Sequence, residues 1–352
     1  MKTVDFERTR GRSVDHMRYT TIGSGAGERR VSRLALGAMR FGTDTDVETS
    51  YAILDRFVEA GGTFVDTSNN YAYWAGGTQG GESETLLGQW RRDRGIGEEI
   101  VIATKVGARP TDVVERVENG WATQRNRRWE GLAPWNVREQ ADRSRERLGV
   151  ERLDLYYAHV PDLNCVPLEE YAAGFAALVK DGVIGQFGLS NHWSWQIERA
   201  RAANPEEARP SVLQYHHTYL RMRTDIPDHR LSVDGQIGVA DASLLAYVRA
   251  TPGLTLVAYT PLLSGAHTNP SKPLDPAYDH PGTASRLAAL DEVAAETGAT
   301  RNQVVLAWML GDTLPVVPLV GASSVAQLDE SLAAMDLELS EEQRARLDAA
   351  GR

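Results

Sequence analysis

The chain has 352 residues, of which 42% are hydrophobic and 24% are charged, with a formal net charge of −10. These are the proportions of a globular protein, and the acidic balance argues against nucleic acid or an anionic membrane surface as a partner. The single cysteine, Cys165, excludes an intrachain disulfide and favours a reducing compartment. No stretch approaches the roughly 18 apolar residues of a membrane-spanning helix.

The N-terminal region predicts a tail followed by a hairpin. Residues 1–16 are charged and lack hydrophobic periodicity, which favours a disordered tail and excludes a secretory signal, so we expect a cytoplasmic protein. Residues 17–33 read as a β-hairpin. Within them, "GSGAG" at 23–27 is similar to a phosphate-binding loop, but Glu28 stands where the third glycine is required. We therefore interpret it as a hairpin turn.

Eight short, nearly continuous apolar runs follow, as is typical of parallel strands buried on both faces. They span residues 33–39, 63–68, 100–107, 153–160, 184–191, 211–217, 254–260 and 316–322. Helical patterns lie between them, at about 47–60, 82–94, 134–148, 166–182, 193–203, 241–250, 284–297 and 324–335, with two additions at about 300–310 and 340–350. This alternation predicts a single α/β domain over 17–352, a (β/α)₈ TIM barrel with an N-terminal hairpin and extra C-terminal helices.

Three connections in this barrel are unusually long. They cover about 108–133, 218–240 and 264–283, and each follows a predicted strand. Loops that follow barrel strands lie on the catalytic face, and connections of this length are commonly functional. We expect them to shape the rim of a binding site.

Four polar side chains fall at the ends of three consecutive predicted strands. Asp66 ends "TFVDTS", and Tyr71 follows in the next loop. Lys105 lies near the end of "IVIATKVG", and His159 near the end of "LDLYYAHV". Neighbouring strands are about 4.8 Å apart, so the four side chains should converge. Each one alone could be a salt bridge or a satisfied core residue, but the whole set favours a catalytic site.

The chemistry of this set suits proton donation to a carbonyl oxygen. A buried Lys105 needs an anion, and Asp66 supplies one. The ammonium group is expected to lower the pKa of Tyr71 from about 10, so that the phenol can donate a proton. A neutral His159 is expected to hold the carbonyl oxygen. None of these groups is a hydride source, so a cofactor has to supply the hydride.

From "YTTIGSGAGERRVSRLALGAMRFG" to "VGASSVAQLDESL", the sequence closely resembles the aldo-keto reductase family. The family's tetrad falls on Asp66, Tyr71, Lys105 and His159. The resemblance implies that the tyrosine is the acid, that the lysine and the aspartate tune it, and that the histidine orients the carbonyl. It implies an NAD(P)H-dependent oxidoreductase that interconverts an alcohol and an aldehyde, ketone or sugar.

The resemblance also implies a row of cofactor-binding residues on the catalytic face. It places the nicotinamide carboxamide at Ser190, Asn191 and Gln214, and the ring against Tyr259, although a core aromatic remains the alternative for Tyr259. It places the pyrophosphate in the loop after "VAYTP" and the adenosine at "GASSVAQLDES". The implied residues are Met39, Ser190, Asn191, Gln214, Tyr259, Leu262, Ser264, Gly265, Gly321, Ser323, Gln327 and Glu330.

One departure from the family pattern bears on the cofactor. No Arg or Lys occurs between Asp312 and Arg344, where many NADPH-preferring relatives carry a base for the 2′-phosphate. Ala266 and Ser331 also replace residues that are usual in the family. NADP(H) is favoured by the resemblance and NAD(H) is the alternative. We hypothesise that Lys272 reaches the phosphate instead.

Three tryptophans are the candidates for substrate binding. Trp74, Trp121 and Trp129 are predicted to contact a small-molecule substrate, either a sugar or an apolar carbonyl compound, or else only to pin the loop to the rim. Arg125, Arg127 and Arg128 read as a solvated charge run more readily than as an anion site. No metal site is predicted, because "HH" at 216–217 matches no usual ligand spacing.

Two further functions stay open beside the reductase. A regulatory subunit of aldo-keto reductase type would hold the cofactor and turn over slowly. A metal-dependent barrel hydrolase would need a metal and no nicotinamide. The direction of the reaction is not encoded in the tetrad, since alcohol oxidation uses the same groups.

Overall fold

A computed structural model describes residues 17–75, 77–111, 128–223, 225, 235, 237–269 and 271–351. The tail predicted for residues 1–16 lies outside the described residues. Two strands form the predicted hairpin, and eight more form the barrel. The strands are β1 (Tyr19–Ile22), β2 (Arg29–Ser32), β3 (Ala35–Gly37), β4 (Phe64–Asp66), β5 (Val101–Val106), β6 (Leu153–Ala158), β7 (Ile184–Ser190), β8 (Val212–His216), β9 (Thr255–Tyr259) and β10 (Val316–Gly321).

The eight strands β3 to β10 are parallel and close into a barrel in chain order, with β10 beside β3. The prediction of a (β/α)₈ barrel with an N-terminal hairpin is therefore confirmed. The helices around it are α1 (Val47–Glu59), α2 (Glu82–Arg94), α3 (Pro134–Leu148), α4 (Leu168–Lys180), α5 (Ser194–Ala202), α6 (Ala242–Ala250), α7 (Pro281–Thr297), α8 (Arg301–Leu310), α9 (Val325–Ala333) and α10 (Glu341–Ala349). No helix in these described ranges is long and apolar enough to cross a membrane.

Two helices, α7 and α8, separate β9 from β10. The second of them, α8, is the one that packs on β10 and α9, and most of its residues are buried. The first, α7, packs on α8 and on α10 instead. The extra helix is therefore the one at 281–297, whereas the sequence led us to expect it at 300–310, because both segments have comparable hydrophobic patterns.

Alternate residues of each strand point into the barrel, and this places the core. Inward side chains such as Phe64, Val101, Leu155 and Val257 form one apolar cluster inside the barrel, and outward side chains pack against the helices. The same period of two carries Asp66, two residues after Phe64, into the interior. The polar residues at the strand ends are thus stacked on an apolar layer.

The hairpin covers one end of the barrel, which we call the hairpin end. Ile22 and Val31 of the hairpin belong to the apolar cluster inside the barrel. A 3₁₀ turn at Gly25–Gly27 joins the two hairpin strands, and a Cβ on Gly27 would lie 2.1 Å from the Gly185 carbonyl oxygen. "GSGAG" is therefore a hairpin turn, as predicted. The opposite end, formed by the C-terminal ends of the strands, is the barrel mouth.

Candidate active site

Strand register brings Asp66 and Lys105 together at the barrel mouth. Asp66 is the last residue of β4 and is paired with Ala103 of β5, so Lys105 lies one inward step further along. Both side chains are fully buried. The Lys105 ammonium donates to Asp66 Oδ1 and, over 2.8 Å, to the Thr67 carbonyl oxygen. The predicted ion pair is present.

The turn after β4 carries Tyr71 over this pair. Lys105 Nζ lies 2.9 Å from the Tyr71 hydroxyl oxygen, and that hydroxyl lies 3.5 Å from Asp66 Oδ1. His159 stands edge-on to Tyr71, with ring centres 6.0 Å apart. The four side chains predicted to converge are therefore side by side at the mouth. The turn itself is fixed by backbone bonds from the Thr67 amide to Ala103 and from the Asn69 amide to Lys105.

Burial controls the protonation of Tyr71. Loss of solvent, together with the nearby Asp66 carboxylate, raises the pKa of Tyr71 well above its ordinary value of 10. The expectation that the pKa of Tyr71 is lowered is therefore wrong: burial and the Asp66 carboxylate outweigh the ammonium of Lys105. At neutral pH Tyr71 carries its proton.

The same burial acts on the other three groups. It raises the pKa of Asp66 and lowers the pKa of Lys105, and the contact between the two opposes both shifts. Burial and the positive charge of Lys105 lower the pKa of His159 well below 6.5. His159 is therefore a neutral imidazole at neutral pH, which agrees with the expectation from the sequence.

The residues predicted to hold the nicotinamide lie together at the ends of β7, β8 and β9. The side-chain nitrogen of Asn191 donates to the His159 carbonyl oxygen at 2.9 Å and to Ser190 Oγ at 3.0 Å. The Tyr259 hydroxyl donates to Asn191 Oδ1 at 2.8 Å. Gln214 donates to Asp66 Oδ2 at 2.8 Å, so it supports the Asp66 carboxylate as well as lining the mouth. That second contact of Gln214 is not foreseen from the sequence.

The predicted pyrophosphate loop follows β9 directly. Leu263, Ser264 and Gly265 have left-handed backbone conformations, with φ of 49°, 54° and 91°. The Lys272 ammonium donates to the Ser264 carbonyl oxygen at 2.6 Å and so lies on this loop. Leu262 is partly buried beside it. Lys272 thus brings a positive charge to the segment where the resemblance implies a pyrophosphate.

The predicted adenosine segment follows β10 and opens α9. Gly321 and Ser323 are exposed, and Gln327 Oε1 accepts from the Ser323 amide at 2.9 Å. Glu330 instead points toward α8, where its carboxylate accepts from the Thr300 hydroxyl at 2.8 Å. Its described contacts therefore stabilise the packing of α9 on α8. Met39 lies after β3 and is 37% exposed, so it is available at the rim.

The three predicted substrate-binding tryptophans have different outcomes. Trp74 is partly buried beside Tyr71, with ring centres 6.5 Å apart, and lines the mouth. Trp129 is part of a backbone bridge to Pro110, and its carbonyl oxygen accepts from Asn164. Trp121 lies outside the described residues, as do Arg125 and Arg127.

Glu130 is an organising residue that sequence reasoning missed. Its carboxylate is 2% exposed and accepts from the Asn69 side chain at 3.0 Å, the Gly107 amide at 2.7 Å and the Arg109 side chain at 3.1 Å. Burial raises its pKa, and Arg109 opposes that shift. Glu130 thereby ties the end of the long connection after β5 to the turn that carries Tyr71. A carboxylate within an otherwise featureless loop gives no local signal of this.

The side chains of the two histidines at 216–217 lie in different surroundings. His216 is hydrogen-bonded to the Tyr278 hydroxyl at 2.6 Å, whereas His217 packs against Trp308. Within the residues that the structure describes, no group of three or more His, Cys, Asp or Glu side chains is arranged to hold a metal ion.

Comparison with known proteins gives consistent matches over most of the chain. A model of the aldo/keto reductase family matches residues 33–352. The chain is 29% identical to the uncharacterized oxidoreductase YrpG of Bacillus subtilis, with 93% of each protein covered. It is 26% identical to the aldo-keto reductase yakc [NADP(+)] of Schizosaccharomyces pombe, over 84% of this chain and 80% of that protein. A thermostable aldo-keto reductase solved with the inhibitor epalrestat superposes with a TM-score of 0.68 at 26% identity, covering 95% of this chain and 99% of that one.

Proposed function

Since the chain belongs to the aldo/keto reductase family, we propose that it reduces an aldehyde, ketone or sugar carbonyl with a nicotinamide cofactor and with Tyr71 as the proton donor. The observation that carries this proposal is the contact of the Tyr71 hydroxyl with Lys105 at 2.9 Å, next to a neutral His159. A phenol that keeps its proton at neutral pH and contacts a buried ammonium can donate that proton to a carbonyl oxygen on which negative charge develops.

The side chains have separate tasks in this proposal. Tyr71 gives its proton to the carbonyl oxygen as negative charge develops there. Lys105, fixed by Asp66 and the Thr67 carbonyl oxygen, stabilises the phenolate that is left behind. Gln214 keeps the Asp66 carboxylate oriented toward that lysine. Because the Asp66–Lys105 pair is buried, water does not weaken its effect on Tyr71.

The donor set at the mouth is compatible with a nicotinamide dinucleotide. The Tyr259 ring, Ser190 and Asn191 would receive the nicotinamide, and Lys272 with the loop Leu262–Gly265 would receive the phosphates. The exposed N-terminal end of α9, at Ser323 and Gln327, would receive the adenosine end. When bound, the cofactor would supply the hydride that no side chain here provides.

We propose NADP(H) as the favoured cofactor and NAD(H) as the alternative. The name of the yeast relative and the position of Lys272 support NADP(H), whereas the lack of Arg and Lys between Asp312 and Arg344 supports NAD(H). Dissociation constants of NADPH and NADH for wild type and Lys272→Ala distinguish two roles of the lysine. A loss confined to NADPH indicates a contact with the 2′-phosphate, and an equal loss for both cofactors argues against one.

The test of the reaction is oxidation of NADPH or NADH with a reactive aromatic aldehyde, comparing wild type with Tyr71→Phe. We expect turnover to fall about 10²- to 10⁴-fold with cofactor affinity nearly unchanged. Tyr156→Phe is the matched control, because Tyr156 is a buried tyrosine whose hydroxyl bonds to the Val137 carbonyl oxygen, among the side chains packed against the helices. It should keep wild-type turnover.

Two results would count against this reading. Equal turnover by Tyr71→Phe and wild type would remove Tyr71 from the reaction. Tight NADPH binding without turnover of any aldehyde would favour a regulatory subunit that only holds the cofactor.

A further inference from the structure

Asn191 has a backbone conformation that few residues other than glycine adopt. It directly follows β7 and has a φ of 59°, in the left-handed region. In this conformation its side chain bonds to the His159 carbonyl oxygen at 2.9 Å, to Ser190 Oγ at 3.0 Å and to the Tyr259 hydroxyl at 2.8 Å. Because a left-handed residue costs conformational energy, it persists only where the surrounding structure holds it.

The peptide group before Asn191 is fixed by the imidazole of His192. His192 Nδ1 lies 2.8 Å from the Ser190 carbonyl oxygen, which belongs to that peptide group. A carbonyl oxygen can only accept, so Nδ1 carries a hydrogen. Burial lowers the pKa of His192 to about 4, so the ring is neutral at pH 7 and Nε2 is an acceptor. The Tyr171 hydroxyl, 2.9 Å away, therefore donates to Nε2, and both ring nitrogens are satisfied.

The peptide group after Asn191 is fixed by Tyr215. The N–H of this peptide group is that of His192, and it donates to the Tyr215 hydroxyl at 3.0 Å. The same hydroxyl donates its own proton to the His192 carbonyl oxygen at 2.6 Å. The φ and ψ of a residue are the rotations of the two peptide groups that flank it. Fixing both groups therefore fixes the conformation of Asn191.

Tyr171, His192 and Tyr215 lie behind the mouth and not in it. Each of them is at most 2% exposed, and the two tyrosines belong to the apolar cluster that packs against the helices. With so little exposed surface, they act through Asn191 and not on a bound molecule. Two hydroxyls and an imidazole are costly to bury in such a layer, where phenylalanine would fill similar space. This indicates that their polar groups are kept for the backbone that they hold.

We propose that Tyr171, His192 and Tyr215 are positioning residues, here called the Asn191 clamp, which hold Asn191 in its left-handed conformation and thereby align the nicotinamide end of the cofactor. This inference rests on the proposed function, in which Ser190 and Asn191 receive the nicotinamide. When the clamp is loosened, Asn191 can relax to an ordinary backbone conformation, and its side chain then leaves its partners. The affinity for the nicotinamide end should fall, whereas the affinity for the adenosine end should not.

The clamp is tested by comparing each dinucleotide with the same nucleotide lacking nicotinamide. Dissociation constants are measured for NADPH and 2′-phospho-ADP-ribose, and for NADH and ADP-ribose. In Tyr215→Phe and His192→Phe we expect the dinucleotide to bind about tenfold more weakly, with the binding of the fragment unchanged within about twofold. Tyr171→Phe removes only the bond to His192 Nε2, so its effect should be smaller and in the same direction.

Two variants separate positioning from a loss of stability. His192→Asn keeps an N–H donor near the position of Nδ1, so it should recover most of the dinucleotide affinity that His192→Phe loses. Tyr156→Phe is the matched control for Tyr215→Phe, because Tyr156 is also a buried tyrosine packed against the helices, and its hydroxyl bonds to the Val137 carbonyl oxygen of α3. Its ratio of the two dissociation constants should equal that of wild type. A general loss of stability weakens dinucleotide and fragment by the same factor and leaves this ratio unchanged.

The outcomes distinguish the clamp from the proposed function. If Tyr215→Phe and His192→Phe weaken dinucleotide and fragment equally, or weaken neither, the clamp is overturned and the proposed function stands. If His192→Asn binds the dinucleotide as weakly as His192→Phe does, the bond from Nδ1 to the Ser190 carbonyl oxygen is not what holds Asn191. If wild type binds neither NADPH nor NADH, the proposed function is overturned and the clamp with it.

Discussion

The two ends of the barrel each hold an ion pair, in very different surroundings. At the hairpin end, Arg29 of β2 pairs with Asp154 of β6 at 2.7 Å, and their side chains are 23% and 17% exposed. At the mouth, the side chains of Lys105 and Asp66 are 0% and 1% exposed. Removing two charges from water is far more costly in the second case.

This difference shows that the chain keeps a pair of charges at the mouth even though burying them lowers its stability. The pair at the hairpin end links the hairpin to the barrel and stays partly solvated, so its cost is small. The pair at the mouth could be replaced by apolar groups of similar size with little loss of stability. Its retention makes sense only if the charges act on something, and the Tyr71 hydroxyl is within hydrogen-bond distance of both.

The largest effect is expected from breaking the pair at the mouth. Lys105→Met leaves a buried carboxylate without its cation, which we expect to cost about 3 kcal/mol of unfolding free energy. The double variant Asp66→Asn with Lys105→Met removes both charges and should regain most of that stability. The rate of carbonyl reduction should fall about 10²-fold or more in both variants, because the positive charge that stabilises the Tyr71 phenolate is gone.

Urea unfolding and cofactor oxidation measure the two quantities separately. If the single and the double variant are equally unstable, the cost does not come from an unpaired carboxylate. Wild-type turnover in the double variant would mean that the pair is structural after all.

The next largest effect is expected when the pH is lowered, because the two ends of the barrel respond differently to acid. Every histidine within the described ranges lies at or beyond the C-terminal end of a barrel strand. Burial lowers the pKa of His192 and of His267 to about 4. A depressed histidine pKa means that the stability is fully present above about pH 6.5 and is lost as the pH falls toward the folded value. At pH 4.5 each of the two should cost about 2 kcal/mol.

The hairpin end should respond in the opposite direction. Burial raises the pKa of Asp154, so its protonation at low pH is favoured in the folded state. Hydrogen-exchange protection factors at pH 7 and pH 4.5 make the comparison. We expect protection to fall around residues 190–218 and around His267, and to persist around residues 19–32. A uniform loss at both ends would contradict this.

A smaller effect at the mouth is expected from Glu130. Glu130→Gln keeps one acceptor oxygen but loses the charge that holds Asn69 and Arg109. We expect the unfolding free energy to fall by about 1–2 kcal/mol. Hydrogen exchange in residues 67–71 should become faster, and kcat should fall by a larger factor than KM rises. Glu169→Gln is the control, because Glu169 is an exposed partner of Arg199. Equal behaviour of the two variants would remove Glu130 from the positioning of Tyr71.

The comparison of the two ends also shows what the sequence could reveal. The strands and the inward direction of Asp66 and Lys105 follow from a period of two, which is a local property. Glu130 could not be found this way, because its partners lie in the turn after β4 and at the far end of its own long connection, and only folding brings them together. The pKa of Tyr71 could not be predicted either, since its direction depends on how burial and Asp66 compare with Lys105.

The smallest effect is expected at the hairpin end. Arg29→Met removes a partly solvated ion pair and leaves Asp154 with the Ile102 amide as a remaining donor. We expect the unfolding free energy to fall by no more than about 1 kcal/mol, with kcat and KM unchanged, and Arg29→Lys to recover part of that loss. Because the mouth is separated from this pair by the apolar layer inside the barrel, charge here has no route to Tyr71. A tenfold change in kcat for Arg29→Met would mean that the two ends are coupled and that the apolar layer transmits the change.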